Sequence, residues 1–199
     1  MNPDPSGRMR PHRWLPLLLL MSTRLSAQAD APTVKLEVQA DSAPLEPAAV
    51  EYRTIWAREG PRIVSAMERF SGLRFRETNI PVLVVTGPSS SGYGTRPMRL
   101  RGSYPEPTKR ATLIHELGHR LQNDLFTREE DDHPALFLWL YEVWTALYGA
   151  EFARQQVEVE SARTGGRHDY RAMWSTAIAM DSSSRARAWR ELRGERQRD

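Results

Sequence analysis

The sequence predicts an α+β fold in which a small mixed sheet packs beside helices that carry most of the chemically informative residues. Two observations predict it. Short segments of alternating or β-branched residues, which are typical of strands, are separated by longer segments with helical periodicity. Without an N-terminal segment described below, about 170 residues remain, a size at which one domain buries a core without disulfides. The chain has no cysteine, so disulfides and thiolate metal ligands are excluded.

Three segments have the composition of strands. Between the first and the second, residues 47–70 have the composition of a helix, which Gly60 and Pro61 should split or kink and which Gly72 should end. Pro81 stands at the start of the second strand segment, where a missing N–H disturbs the ladder least. The predicted strands are residues 33–38, 80–86 and 97–104.

The third predicted strand is an edge strand directly before a helix. Met98 and Leu100 lie on one side of it, and Arg99 and Arg101 lie on the other. Unpaired backbone groups at such an edge can bind an extended peptide by strand addition, so residues 97–104 are a candidate substrate ledge. The alternative is a plain sheet edge that its arginines keep soluble.

The N-terminus has the pattern of a secretory signal peptide. A basic stretch precedes an apolar run from Trp14 to Met21, and an A-x-A cleavage pattern ends at Ala29. The apolar run is far shorter than the roughly 20 residues that a membrane-spanning helix needs. We therefore expect residues 1–29 to be removed and the protein to be exported to the periplasm or the medium, without a permanent membrane anchor.

The formal net charge of +3 depends on this segment. Without residues 1–29, Lys plus Arg falls from 28 to 24 and Asp plus Glu from 25 to 24, so the net charge becomes 0. With no basic excess and no nucleic-acid motif, no nucleic-acid partner is expected. We expect a monomeric single domain over residues 30–181, followed by an Arg-rich tail, residues 182–199, that forms a solvated helix or frayed end.

The pentapeptide His-Glu-Leu-Gly-His at residues 115–119 is the most specific motif. On a helix, His115 and His119 lie one turn apart on the same face and can bind one metal ion. Glu116 points away by roughly 100°, where a carboxylate can take a proton from a metal-bound water without being a ligand. The alternative is an amphipathic surface helix with two ordinary histidines.

A third protein ligand is needed, and Glu142 is the first candidate. It is the only charge between Ala135 and Ala150, and so isolated a carboxylate must be paired or coordinated. If the first helix runs to about Phe126 and an antiparallel helix begins near Pro134, a rise of 1.5 Å per residue returns Glu142 level with the histidines. His133 is the rival ligand, and a buried ion pair with an arginine is the alternative role of Glu142.

These residues resemble the gluzincin group of zinc metallopeptidases, in which H-E-x-x-H is followed by a glutamate on the next helix. The strand-then-helix layout is similar to the small members called minigluzincins. The resemblance implies a zincin-like fold, a zinc ion held by His115, His119 and Glu142, and Glu116 as general base for hydrolysis of peptides or proteins. It would also allow the tail, residues 182–199, to cover the cleft.

Two further polar clusters follow the motif. The acidic run at residues 129–132 is typical of a solvated turn before a helix. Gluzincins usually have a Tyr or His that donates to the oxyanion, and His168 and Tyr170 are the candidates, although the same residues also suit a turn and a helix start.

Ala146 stands where some gluzincins carry an aspartate that orients a zinc-bound histidine. This motivates a second hypothesis, a catalytically inactive zincin-fold binding or scaffold protein in the cell envelope.

Overall fold

The computed structural model describes residues 1, 34–127, 129–164 and 168–196. The chain from Pro32 onward forms one compact unit, and apart from Met1 the predicted signal peptide lies outside the described residues. The described part holds three strands and six α-helices. The strands are β1 (Lys35–Ala40), β2 (Asn79–Val85) and β3 (Met98–Arg101), and the helices are α1 (Glu46–Ser71), α2 (Glu106–Gln122), α3 (His133–Tyr148), α4 (Ala150–Ser161), α5 (Tyr170–Ala179) and α6 (Ser182–Arg196).

The sheet has the order β1-β2-β3, and both pairs are parallel. Helix and sheet are thus combined as predicted, but the sheet is parallel rather than mixed. The long α1 carries the chain back between β1 and β2, so the two strands start from the same end. Val82 lies opposite Val38 and Met98, so all three strands meet at this register position. An isolated antiparallel bridge joins Ser90 to Arg99 on the outer side of β3.

Helix α1 is continuous, because its 26 residues run through Pro61 without the predicted split. A proline inside a helix costs about 3 kcal/mol. Ile63 and Met67, both at 0% exposure, follow it on the buried face, and burial of each such side chain contributes about 1.5–3 kcal/mol. Packing therefore outweighs the lost hydrogen bond. The predicted end is confirmed, since Gly72 adopts φ 66° and its N–H bonds to Glu68 O.

The centre of the helical layer is α3, which packs against α1, α2, α4, α5 and α6. The helix predicted as one of two alternatives for residues 182–199 is present as α6, but it packs into this layer and is not fully solvated. Its Trp189 is 2% exposed and donates its indole N–H to Ser71 O over 2.7 Å. The six arginines of residues 182–199 predict a solvated segment, yet Arg185 is buried. Among the described residues, no helix combines the length and the apolarity needed to cross a membrane.

Candidate metal centre

Three buried histidines meet at the crossing of α2 and α3. His115 and His119 lie one turn apart on α2, and His133 is the first residue of α3. The ring atoms that these side chains offer as ligands lie within 4.8 Å of one another. The helix geometry brings His115 and His119 together as the motif predicts, with 3.0 Å between their Nε2 atoms. The group could hold a metal ion.

Gly118 sets the close approach of the two helices. A Cβ atom at this position would lie 2.5 Å from Leu136 Cδ1 and 3.2 Å from the Trp139 ring, both on α3. Such contacts are shorter than van der Waals distances, so only glycine lets α3 pack this closely. The glycine of the pentapeptide thus helps to place His133 beside the other two histidines.

The structure does not bring Glu142 to this group. Its Oε1 atom accepts a hydrogen bond from Arg185 Nε over 3.0 Å, so the ion pair considered as its alternative role is the one observed. The path of the chain explains the difference. Helix α2 ends at Gln122, earlier than the sequence predicts. The loop between α2 and α3 then leads the chain back to the histidines, because Asp132 at the end of this loop already contacts His119. The rival ligand His133 therefore arrives first.

Each of the three imidazoles presents its Nδ1 atom to a carboxylate. A carboxylate that holds Nδ1–H leaves the lone pair on Nε2 and fixes the plane of the ring, which is the usual support of metal-binding histidines. Two of the three carboxylates belong to the acidic run before α3, and the third comes from α4. The hydrogen-bonded pairs are His119 with Asp132 (2.8 Å) and His133 with Asp131 (2.7 Å). His115 Nδ1 lies 2.9 Å from Glu160 Oε1 as a charge contact, and among the described residues neither atom has a hydrogen-bond partner.

This arrangement attracts positive charge to the space between the rings. The Nε2 atoms of His115 and His119 lie 3.0 Å apart, and in the tautomer with both protons on Nδ1 their lone pairs face each other, an arrangement that favours a proton or a metal ion between them. Burial opposes protonation of His119, but Asp132 raises its pKa. Burial and the charges of His119 and His115 lower the pKa of His133 to about 3, so this imidazole is neutral at pH 7.

The supporting carboxylates are ionised. Burial opposes the charge on Glu160, yet the neighbouring His115 and Arg163 and a hydrogen bond from the Trp174 indole lower its pKa to about 2. Burial likewise opposes the charge on Asp132, and its contact with His119 lowers that pKa to about 2. The site therefore surrounds its imidazoles with fixed negative charge, which favours a bound cation.

Glu116 lies beside the three histidines and lines the same cavity. Glu116 is only 5% exposed. Burial raises the pKa of its carboxyl group, although the nearby His115 and His119 act to lower it. A carboxylate whose pKa is raised toward neutrality is a better proton acceptor and donor near pH 7. The structure thus places a candidate base next to the candidate ligands, as the motif predicts.

The cavity measures about 490 Å³ and opens beside the acidic run. Both residues that the sequence suggested as oxyanion donors line this cavity. The Tyr170 hydroxyl lies 2.9 Å from His133 Nε2, and His168 Nδ1 lies 2.8 Å from Asp131 Oδ2. Tyr170 also begins α5, so the helix-start interpretation holds at the same time. The wall is completed by Ser89, Ser90, Ser91, Tyr93, Glu129, Glu130 and Asp132.

The predicted substrate ledge is already occupied. Arg99 exchanges both backbone hydrogen bonds with Ser90, over 2.8 Å and 3.0 Å, and Arg101 N–H donates to Ser89 Oγ over 3.0 Å. These bonds cover the outer edge of β3. The segment that faces the cavity is therefore Ser89–Ser91, which the sequence indicated only as a loop.

Sequence reasoning missed the supporting carboxylates. Asp131 and Asp132 were assigned to a solvated turn because four adjacent acids usually have that role. The sequence does contain a signal for Glu160. This residue follows Ala153, Gln156 and Val157 on the buried stripe of α4, so it is a charge on an apolar face, as Glu142 is.

Comparisons of the chain were made with models of protein families, with curated proteins and with solved structures, and none of the three found a match.

Proposed function

We propose that the protein is an exported zinc-dependent hydrolase that cleaves peptide bonds, with His115, His119 and His133 as the zinc ligands and Glu116 as the general base. One observation carries the proposal. Three imidazole nitrogens converge, the Nδ1 atom of each ring lies within 3 Å of a carboxylate, and a buried glutamate with a raised pKa lines the same cavity. Catalytic zinc sites combine three protein ligands with one open position.

The residues present fit zinc. Imidazole is a preferred ligand of this ion, and a chain without cysteine has no competing thiolate. At a Zn–N distance of about 2.0–2.1 Å, two nitrogens of a tetrahedral site lie about 3.3 Å apart. The 3.0 Å between the Nε2 atoms of His115 and His119 is close to that spacing. The third ligand departs from the gluzincin pattern, in which a glutamate such as Glu142 would take this role.

When bound, zinc supplies a Lewis acid that makes water more acidic and polarises a carbonyl group. Glu116 then has a defined task, which is to accept a proton from the attacking water and to pass it to the departing nitrogen. Burial in the cavity wall keeps the Glu116 carboxylate poorly hydrated, so it binds that proton more readily than an exposed glutamate would.

Tyr170 is suited to stabilise the oxygen that gains charge. Burial raises the pKa of its phenol, so the hydroxyl stays protonated and can donate. The same hydroxyl lies beside the Nε2 atom of His133, at the place where the ligand atoms converge. A fixed donor at a developing oxyanion contributes to catalysis because it needs no reorganisation.

The test is to purify residues 30–199, measure zinc by elemental analysis and assay cleavage of a mixed peptide library. We expect one zinc per chain and cleavage that a chelator removes. The matched variant Glu116→Gln should keep the zinc and lose the cleavage, because only the proton acceptor has changed. A folded protein that takes up no zinc would exclude the proposal. Zinc binding without cleavage of any peptide would instead support the binding or scaffold protein.

A further inference from the structure

We propose that Asp131, His133 and His168 form an outer cation site, through which a divalent metal ion reaches the inner group of His115, His119 and His133. The outer site is a second function for Asp131, which otherwise supports the inner ligand His133, and for His133 itself. The inference rests on the metal site of the proposed function and not on hydrolysis.

The donor atoms of the outer site are already assembled. Asp131 uses one carboxylate oxygen toward His133 Nδ1 at 2.7 Å and the other toward His168 Nδ1 at 2.8 Å. The three donor atoms lie within 4.8 Å of one another. One carboxylate and two imidazoles form a ligand set that zinc and similar divalent ions accept.

The two groups differ in their access to solvent. The side chains of Asp131 and His168 are 37% and 31% exposed, that of His133 is 10% exposed, and that of His115 is 1% exposed. All four residues line the same cavity. An ion that enters from solvent therefore meets the outer donors before it reaches the inner ones.

His133 cannot serve both groups at once. A neutral imidazole has one lone pair, and its other nitrogen carries the proton. The inner group uses Nε2 of His133. The outer group would use Nδ1, and the Nδ1 proton must then move to Nε2, which lies 2.9 Å from the Tyr170 hydroxyl. An ion bound outside must therefore release His133 when the inner group forms, so the outer site holds the ion only in transit. The final stoichiometry stays at one ion per chain.

Stopped-flow mixing of the metal-free protein, residues 30–199, with Co²⁺ tests this order of events, because tetrahedral cobalt absorbs visible light. Two variants remove the outer imidazole. His168→Ala removes the whole side chain, and His168→Asn keeps a hydrogen-bond donor for Asp131 and so preserves the support of His133. Glu129→Gln is the matched control, since it removes a negative charge from the cavity wall without removing a donor of the outer group.

We expect both His168 variants to bind one Co²⁺ with an unchanged dissociation constant. Their association rate constants should fall by about one order of magnitude, which lies within the range seen among variants of one binding site. The dissociation rate constant, measured with excess chelator, should fall by the same factor, since a lost intermediate slows both directions equally. The rates of Glu129→Gln should change less and in a salt-dependent manner.

Two results would overturn the proposal. In one, the His168 variants bind Co²⁺ as fast as the unchanged protein. In the other, they bind it more weakly because dissociation alone becomes faster, which would make His168 a support of the inner group. Neither result depends on peptide cleavage, so failure of the hydrolase proposal would be seen separately, in the peptide assay.

Discussion

At the residue scale, two substitutions separate the role proposed for His133 from the ion pair of Glu142. In the proposed site His133→Ala removes a zinc ligand, and we expect the zinc affinity to fall by about 100-fold or more, beyond the effect of an outer supporting group. Glu142→Gln breaks the pair with Arg185. It should leave the zinc affinity unchanged and lower the free energy of unfolding by about 1–3 kcal/mol. Zinc titration and urea denaturation measure the two quantities. Loss of zinc in Glu142→Gln alone would restore Glu142 as the ligand.

Glu160 gives a second test at this scale, because it contacts the proposed ligand His115 without being in the proposed ligand set. Glu160→Gln removes the negative charge 2.9 Å from His115 Nδ1, a charge that favours the proton on Nδ1 and the lone pair on Nε2. The zinc affinity should fall by about 10–100-fold. Glu158→Gln, an exposed change on the same helix, is the control and should bind zinc normally. Equal affinities in a competition assay with a chromogenic chelator would contradict this role for Glu160.

At the element scale, the packing of α2 on α3 depends on one missing side chain. Gly118→Ala forces a Cβ atom against Leu136 and Trp139, and we expect the free energy of unfolding to fall by about 1–3 kcal/mol. Gly194→Ala on α6 meets no neighbour within 4 Å. It should be neutral or stabilising by up to about 1 kcal/mol, since alanine favours helix. Denaturant unfolding of both variants gives the comparison, and a stable Gly118→Ala protein would mean that the helices can separate at no cost.

Helices and strands with a clear periodicity can be predicted from the sequence, whereas the paths of the loops that connect them cannot. β2, α1 and the start of α3 follow from composition, proline and glycine. The choice between His133 and Glu142 depended on where α2 ends and how the connection returns, which no local pattern sets. For the same reason the outer side of β3 looked open, although Ser90 pairs with it through a bridge that joins residues nine apart in sequence.

At the scale of the whole molecule, α6, the last helix of the described chain, packs against the core through Trp189. Trp189→Ala removes a ring that is 2% exposed and its bond to Ser71, and we expect a loss of about 3–5 kcal/mol in the free energy of unfolding. Ile178→Ala, at a side chain 48% exposed, is the control and should cost far less. Thermal and urea unfolding measure both, and similar stability of the two variants would show that α6 is dispensable.

The contacts of α6 also bear on when the cavity wall is completed. Trp189 bonds to a residue 118 positions earlier, and Arg196 pairs with Glu130 on the cavity wall over 2.6 Å. Contacts so distant in sequence form late, because a long loop must close before they are made. Until α6 has been synthesised and has packed, Glu130 on the cavity wall lacks its partner Arg196. The metal ion of the proposed function would therefore be acquired by the finished protein.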